Sequence, residues 1–138
     1  MMHLLFGSFK IVTTFVVLFV LVACSNKLPS EINETTSPSE IIKFGDEAYK
    51  KGYFERSGDY YSEVNKYFPY SVEDELALSK AVDAYYRAEK FEDARLVAGK
   101  FLTLYPESSK AQQVLYLRSK SFCDEIDIVE RDQAAAKE

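Results

Sequence analysis

The chain has 138 residues, 47% hydrophobic and 28% charged, with seventeen Lys and Arg against twenty-two Asp and Glu and a formal net charge of −5. This length bounds it to one small domain or a short array of repeats, and the acidic balance offers no electrostatic reason to bind nucleic acid or an anionic lipid surface. Tryptophan is absent and the only histidine is His3, so a mature chain without its first residues lacks the commonest general base and metal ligand.

The first element is the apolar run between Lys10 and Cys24, thirteen residues long. That is short of the roughly 20 needed to span a bilayer as a helix. A cation before the run and the small Ala23 at its end predict a signal peptide over residues 1–23. "LVAC", residues 21–24, resembles the bacterial lipobox. The resemblance implies that Cys24 receives diacylglycerol and becomes the new N-terminus, anchoring the protein to a membrane without crossing it. Ser25 in place of Asp after the cysteine implies sorting to the outer membrane, facing the periplasm. Removal of residues 1–23 leaves sixteen Lys and Arg against twenty-two Asp and Glu, a net of −6. Once Cys24 is acylated, Cys123 is the only cysteine left, and no internal disulfide can form. A retained apolar run, acting as an inner-membrane anchor, is the alternative.

The lipidated Cys24 and the polar stretch "SNKLPSEINETTS" (25–37) read as a flexible tether over residues 24–37, which at full extension reaches about 45 Å. Ser37, Pro38 and Glu40 then write a helix start, with a cap, a proline in the first turn and a capping-box acid. From there the chain repeats. "GYFERSGDYYSEVNKYFP" (52–69) and "EKFEDARLVAGKFLTLYP" (89–106) align at an offset of 37, pairing Phe54 with Phe91, Glu55 with Glu92 and Pro69 with Pro106. A period in this range signals stacked supersecondary units. Each unit reads as two antiparallel helices. The first helices are predicted over 38–51, 72–88 and 109–128, and the second over 55–67 and 92–105.

The pairs resemble tetratricopeptide repeats. The packing places of the first helix hold Ile41, Phe44, Gly45 and Ala48 in unit one and Leu78, Ala81, Val82 and Tyr85 in unit two; those of the second hold Ser57, Tyr61 and Val64, then Ala94, Ala98 and Phe101. Small places let backbones approach while large side chains fill between them. The predicted fold is therefore all-α, a tetratricopeptide-repeat solenoid of about two and a half repeats over 38–138, with units near 38–69, 72–106 and 109–138. The third is expected to be incomplete. Leu115, Ser119 and Phe122 take packing places, Arg118 stands where an apolar residue is usual, and a second helix is expected only from "RDQAAAKE" (131–138). Leu115, Phe122 and Ile126 are accordingly expected to expose apolar surface.

Lipobox, tether and long-turn repeats together resemble the N-terminal half of the BamD family of outer-membrane assembly lipoproteins. The matching phrases are "KYFPYS", "DAYYRAEKFEDA", "KFLTLYPES", "LYLRS" and "VERDQ". Glu89 departs from the pattern where a turn glycine is common, Ser119 stands where the family tends to Gly, and later repeats are missing. The resemblance implies a non-catalytic scaffold of the β-barrel assembly (Bam) complex. Its implied partners are a BamA-like barrel protein, other Bam lipoproteins, unfolded outer-membrane β-barrel proteins and the membrane through the lipid anchor.

Independently of that resemblance, the inner side of the first helices can be placed by register. It takes Ile42, Asp46, Tyr49 and Lys50 from unit one, Leu76, Ser79, Asp83, Tyr86 and Arg87 from unit two, and Gln113, Tyr116, Lys120 and Asp124 from unit three. Tyrosines beside charges suit an extended peptide, and the same tyrosines serve equally well as helix-to-helix packing. Tyr49, Leu76, Asp83, Tyr86, Arg87, Tyr116 and Arg118 are the candidate partner-binding residues, Arg118 having a second reading as a structural cation paired with an acid. No catalytic residue, cofactor or metal is predicted: the carboxylates of "VEDE" (72–75) and "CDEID" (123–127) read as solvated helix ends. A second functional reading is a periplasmic or inner-membrane-anchored repeat scaffold of cell-envelope or division machinery.

Overall fold

The computed structural model describes residue 32 and residues 35–135, the last five by their backbone alone. The predicted signal peptide, Cys24 and most of the tether lie outside the described residues. Five helices follow one another: α1 (Pro38–Lys50), α2 (Phe54–Tyr67), α3 (Val72–Arg87), α4 (Phe91–Leu104) and α5 (Ala111–Ala135). No strand occurs among the described residues. None of the described helices is long and apolar enough to cross a membrane.

Local chemistry sets the boundaries. Ser37 caps α1 by accepting from the Glu40 amide at 3.3 Å, and Ser71 caps α3 by accepting from the Asp74 amide at 3.1 Å. The first helix of each complete unit ends in the same way. The Tyr53 amide reaches back to the Ala48 carbonyl and the Gly52 amide to that of Tyr49; in unit two, Lys90 reaches Tyr85 and Glu89 reaches Tyr86. This paired closure needs a left-handed residue just past the helix. Gly52 supplies it at φ 78°, and Glu89, 37 positions on, adopts φ 58° despite its side chain. The departure noted in the sequence is therefore a place where the backbone keeps the glycine conformation without the glycine.

Each helix packs on the next, while α1, α3 and α5 also touch in series to form one layer, with α2 and α4 in the other. The core falls in two clusters. One joins Ile41, Tyr61, Val64, Ala77, Ala81 and Tyr85; the other joins Leu78, Val82, Ala98, Phe101, Val114 and Leu117. In unit one a bare Gly45 lies under the Tyr61 ring, so close that a Cβ there would stand 2.4 Å from Cε1. At the same two places in unit two stand Val82 and Ala98. The repeats thus fill one wall by opposite divisions of volume. Ser57 seals the first of these walls by donating its hydroxyl to the Gly45 carbonyl at 2.8 Å.

Three expectations are corrected. Ile32, assigned to the tether, packs against the first core cluster, because an isolated apolar side chain next to a helix start finds the nearest hydrophobic wall. Ile42, assigned to the inner face, is only 8% exposed and belongs to that same cluster. The segment from Arg131 does not open a second helix for unit three; it continues α5 to Ala135. After Pro106 the sequence has neither glycine nor proline, so no residue there breaks the helix.

The expected open face is present. Leu115, Phe122 and Ile126 are 52%, 51% and 57% exposed, whereas Leu78 and Tyr85, which hold the first two of these places in unit two, are buried beneath the neighbouring helices.

Candidate functional site

The inner layer carries a hollow of about 370 Å³ between α1, α3 and α5, lined by Asp46 and Tyr49, by Leu76, Ser79, Lys80 and Asp83, and by Lys110, Gln113, Val114 and Leu117, with Tyr61 at its floor. A second hollow, of about 400 Å³, lies at the C-terminal end of α3 among Tyr86, Arg87, Glu89, Phe91, Asp124, Asp127 and Ile128. Of the candidate residues, Tyr49, Leu76 and Asp83 meet in the first and Tyr86 with Arg87 in the second. Tyr116 is 61% exposed on α5. Arg118 joins neither, lying instead in a third hollow against α4 with Arg95, Leu96, Gly99 and Thr103, where its Nε is buried without a hydrogen-bond partner.

A repeated clamp crosses from each unit to the next. The Tyr49 hydroxyl on α1 donates to Asp83 Oδ2 on α3, and Arg87, one turn along, gives its Nε to the same oxygen at 3.0 Å with its guanidinium 5.5 Å from the Tyr49 ring centre. One unit later the Tyr86 hydroxyl donates to Asp124 Oδ2 on α5, and Lys120 bonds that oxygen at 2.7 Å while standing 5.4 Å from the Tyr86 ring centre. Behind each tyrosine stands the first residue of the following helix, Phe54 edge-on at 5.1 Å and Phe91 at 5.8 Å. These pairs obey the offset of 37.

The electrostatics follow from these bonds. Burial and the Asp83 hydrogen bond push the Tyr49 phenol up to about 12. Bonds from Lys120 and Tyr86 hold the Asp124 carboxyl below the usual carboxylate range. At the floor of the first hollow, Asp46 accepts from both Tyr61 and Lys80 at 2.6 Å. Burial would raise its pKa, but those bonds and the lysine charge outweigh it and the carboxyl falls below its ordinary value.

Sequence reasoning missed Lys80, Lys110, Val114 and Leu117 as lining residues of the first hollow and took Tyr61 for a packing residue alone. Register alone assigned inner positions two before and one after each packing pair, and Lys80 falls between them. Its signal was available as a cation 34 residues beyond Asp46. The clamp was also hidden. Tyr49 meets Asp83 at a separation of 34 and Tyr86 meets Asp124 at 38, so the acids do not share a place in the repeat although the tyrosines do. The arrangement can present aromatic edges, one exposed leucine and both signs of charge to an elongated chain. Among the described residues no cluster of His, Cys, Asp and Glu could hold a metal ion.

The chain is 28% identical over 112 residues to an outer membrane protein assembly factor BamD of Caulobacter vibrioides, a match covering 81% of this chain and 37% of that protein. It thus spans well under half the length of that curated relative. No solved structure matches it. Residues 34–138 match the family described as YfiO, outer membrane lipoprotein, which takes in all five helices, and the chain belongs to that family of outer membrane lipoproteins.

Proposed function

We propose that this protein is a non-catalytic scaffold for outer-membrane protein assembly, held by a lipid on Cys24 at the periplasmic face of the outer membrane. Its inner layer holds extended segments of unfolded β-barrel proteins, and it works beside a BamA-like barrel protein and other Bam lipoproteins. Family membership supports the compartment. The observation that carries the binding role is the first hollow, where Leu76, 38% exposed, stands among Tyr49, Lys80, Asp83 and Lys110. Such a surface offers apolar area with hydrogen-bonding groups at its rim, which is what an extended chain with alternating side chains needs.

The second hollow, at the C-terminal end of α3, sets the polarity of the bound chain. Nε of Arg87 is committed to Asp83, which leaves its terminal guanidinium nitrogens to take a carboxylate, and the Tyr86 ring beside it is available to an aromatic side chain. A peptide ending in an aromatic residue with a free carboxylate fits that pair. Tyr86→Ala and Arg87→Ala are each expected to weaken such a peptide by about five- to 150-fold, the range for one aromatic contact or one charge-assisted bond. Helix content by circular dichroism should remain unchanged. Equal affinity in both variants, or an equal loss from Glu63→Ala on α2, rejects the assignment.

A further inference from the structure

Ile32 packs against the first core cluster, so only residues 25–31 separate the helical domain from Cys24. At full extension the path from Cys24 to Ile32 reaches about 27 Å, well short of the length of the whole polar stretch. Its point of entry can be placed. Ile32 and Phe68 pack against the same cluster, and α2 runs antiparallel to α1, its first residue Phe54 lying against Tyr49 near the end of α1. The chain therefore enters at the edge formed by the start of α1 and the turn from α2 to α3. The opposite edge, with Gly52 and Tyr53, lies beyond the 13 residues of α1, about 20 Å farther on.

The turn at the entry edge presents the two most exposed large apolar side chains among the described residues, Tyr70 at 75% and Val72 at 89%. Tyr70 holds a left-handed backbone, φ 65°, which glycine adopts freely and a bulky residue does not. Its amide is fixed from beneath by the wholly buried Asp74. Oδ2 of that acid accepts from the Tyr70 amide at 3.0 Å, from Asn65 Nδ2 at 2.9 Å and from the Tyr105 hydroxyl at 2.6 Å. Strain of this kind persists where the surroundings over-determine it, and it gathers at functional segments. Here the buried acid fixes the backbone while the ring stays in solvent. A tyrosine so held suits the boundary of a bilayer, where the ring meets acyl chains and the hydroxyl stays among headgroups. Glu40, Glu73 and Glu107 balance Lys43, Lys66 and Lys110 about this edge, so apolar insertion rather than attraction to anionic lipid governs the contact.

We infer that the turn 69–72 is a second membrane contact, seating Tyr70 and Val72 in the headgroup layer of the bilayer that holds the Cys24 lipid. A lipid alone limits distance; the turn adds orientation, setting the starts of α1 and α3 toward the membrane. The inference rests on the lipid anchor of the proposed function. The chain has no tryptophan, so a single introduced one reports its own surroundings. The full chain carrying Tyr70→Trp, Val72→Trp or, at the opposite edge, Tyr53→Trp is to be purified from membranes and placed in vesicles of phosphatidylethanolamine and phosphatidylcholine with brominated acyl chains. All three places are exposed, and unchanged circular dichroism checks the fold. Emission at 70 and 72 should move to shorter wavelength and be quenched several-fold more than at 53, with no change at high salt. No quenching at 70 and 72, equal quenching at all three places, or quenching abolished by salt would each overturn the inference. The mass of the mature N-terminus separates the two readings. An unacylated Cys24 overturns the anchor and this contact with it, whereas an acylated Cys24 beside an unquenched Tyr70→Trp overturns the contact alone.

Discussion

Replacing Gly45 tests how the two repeats divide their core. A Cβ at Gly45 would lie 2.4, 2.7 and 2.9 Å from three atoms of the Tyr61 ring. Ordinary contact requires the ring to retreat by about 1 Å. It has little freedom to do so, being 2% exposed with its hydroxyl tied to Asp46 at 2.6 Å. Overpacking of this kind costs about 1–3 kcal/mol, and the better helix propensity of alanine returns about 1 kcal/mol. Gly45→Ala should therefore destabilise by up to about 2 kcal/mol, and Gly45→Val by about 3 kcal/mol because two further methyl groups enter the same space. Tyr61→Ala alone should cost about 3–5 kcal/mol through the cavity it leaves. The double variant Gly45→Val, Tyr61→Ala installs the division of unit two, where Val82 and Ala98 share a core cluster. Its cost should fall at least about 2 kcal/mol below the sum of the single costs. Urea unfolding followed by circular dichroism at each variant completes the cycle. Additivity within about 0.5 kcal/mol, the behaviour of independent sites, or a stabilised Gly45→Ala, would falsify the volume exchange.

At the left-handed turn, Glu89→Gly should stabilise by about 0.5–1 kcal/mol, since relief of the strained φ exceeds the added chain entropy of glycine, while Gly52→Ala at the equivalent place should cost about 1 kcal/mol; thermal melts showing the same sign for both would refute the shared backbone requirement. Asp46→Asn should cost about 0.5–1 kcal/mol at neutral pH, the value for a partly exposed ion pair. The folded carboxyl lies below its ordinary 3.8, so its contribution is complete above that value and is lost as pH falls through the lower folded value. The gap between parent and Asp46→Asn should accordingly close below about pH 4, and a gap that stays constant to pH 2 removes the ion pair from the account.

Where the chain turns was legible because the turning residues have one use each. Pro69 and Pro106 stop helices, Ser37 and Ser71 start them, and Gly52 permits the backbone sign change; α1 to α4 accordingly begin and end within a residue of expectation. The small and large packing places were legible from the offset of 37, and the open face of unit three from the same comparison. The course of α5 beyond Glu130 was not. Repeat logic demanded a second helix near "RDQAAAKE", but no residue after Pro106 could end the first, and local helix propensity prevailed over the repeat. Ile42 was misplaced for a different reason. A register rule treats the inner face as a narrow strip, whereas α1 packs against both α2 and α3 and buries a wider arc than one strip allows.

The tyrosines show why packing and binding could not be separated from sequence. A phenol has a ring and a hydroxyl, and the clamp uses both, giving the hydroxyl to an acid on the next helix of the inner layer and the ring to a cation and a phenylalanine. What remains for a partner is the outward ring edge and whichever guanidinium nitrogens Asp83 does not hold. The clamp thereby fixes the rotamers of Tyr49 and Tyr86 before any ligand arrives, and a side chain already ordered loses little entropy on binding. Packing thus does not preclude the proposed recognition: the acids that consume the hydroxyls hold the rings at the edges of the two hollows. A long flexible cation left unpaired at Arg87 would have to be ordered by the ligand itself, whereas one already bonded to Asp83 needs only to turn its free nitrogens outward.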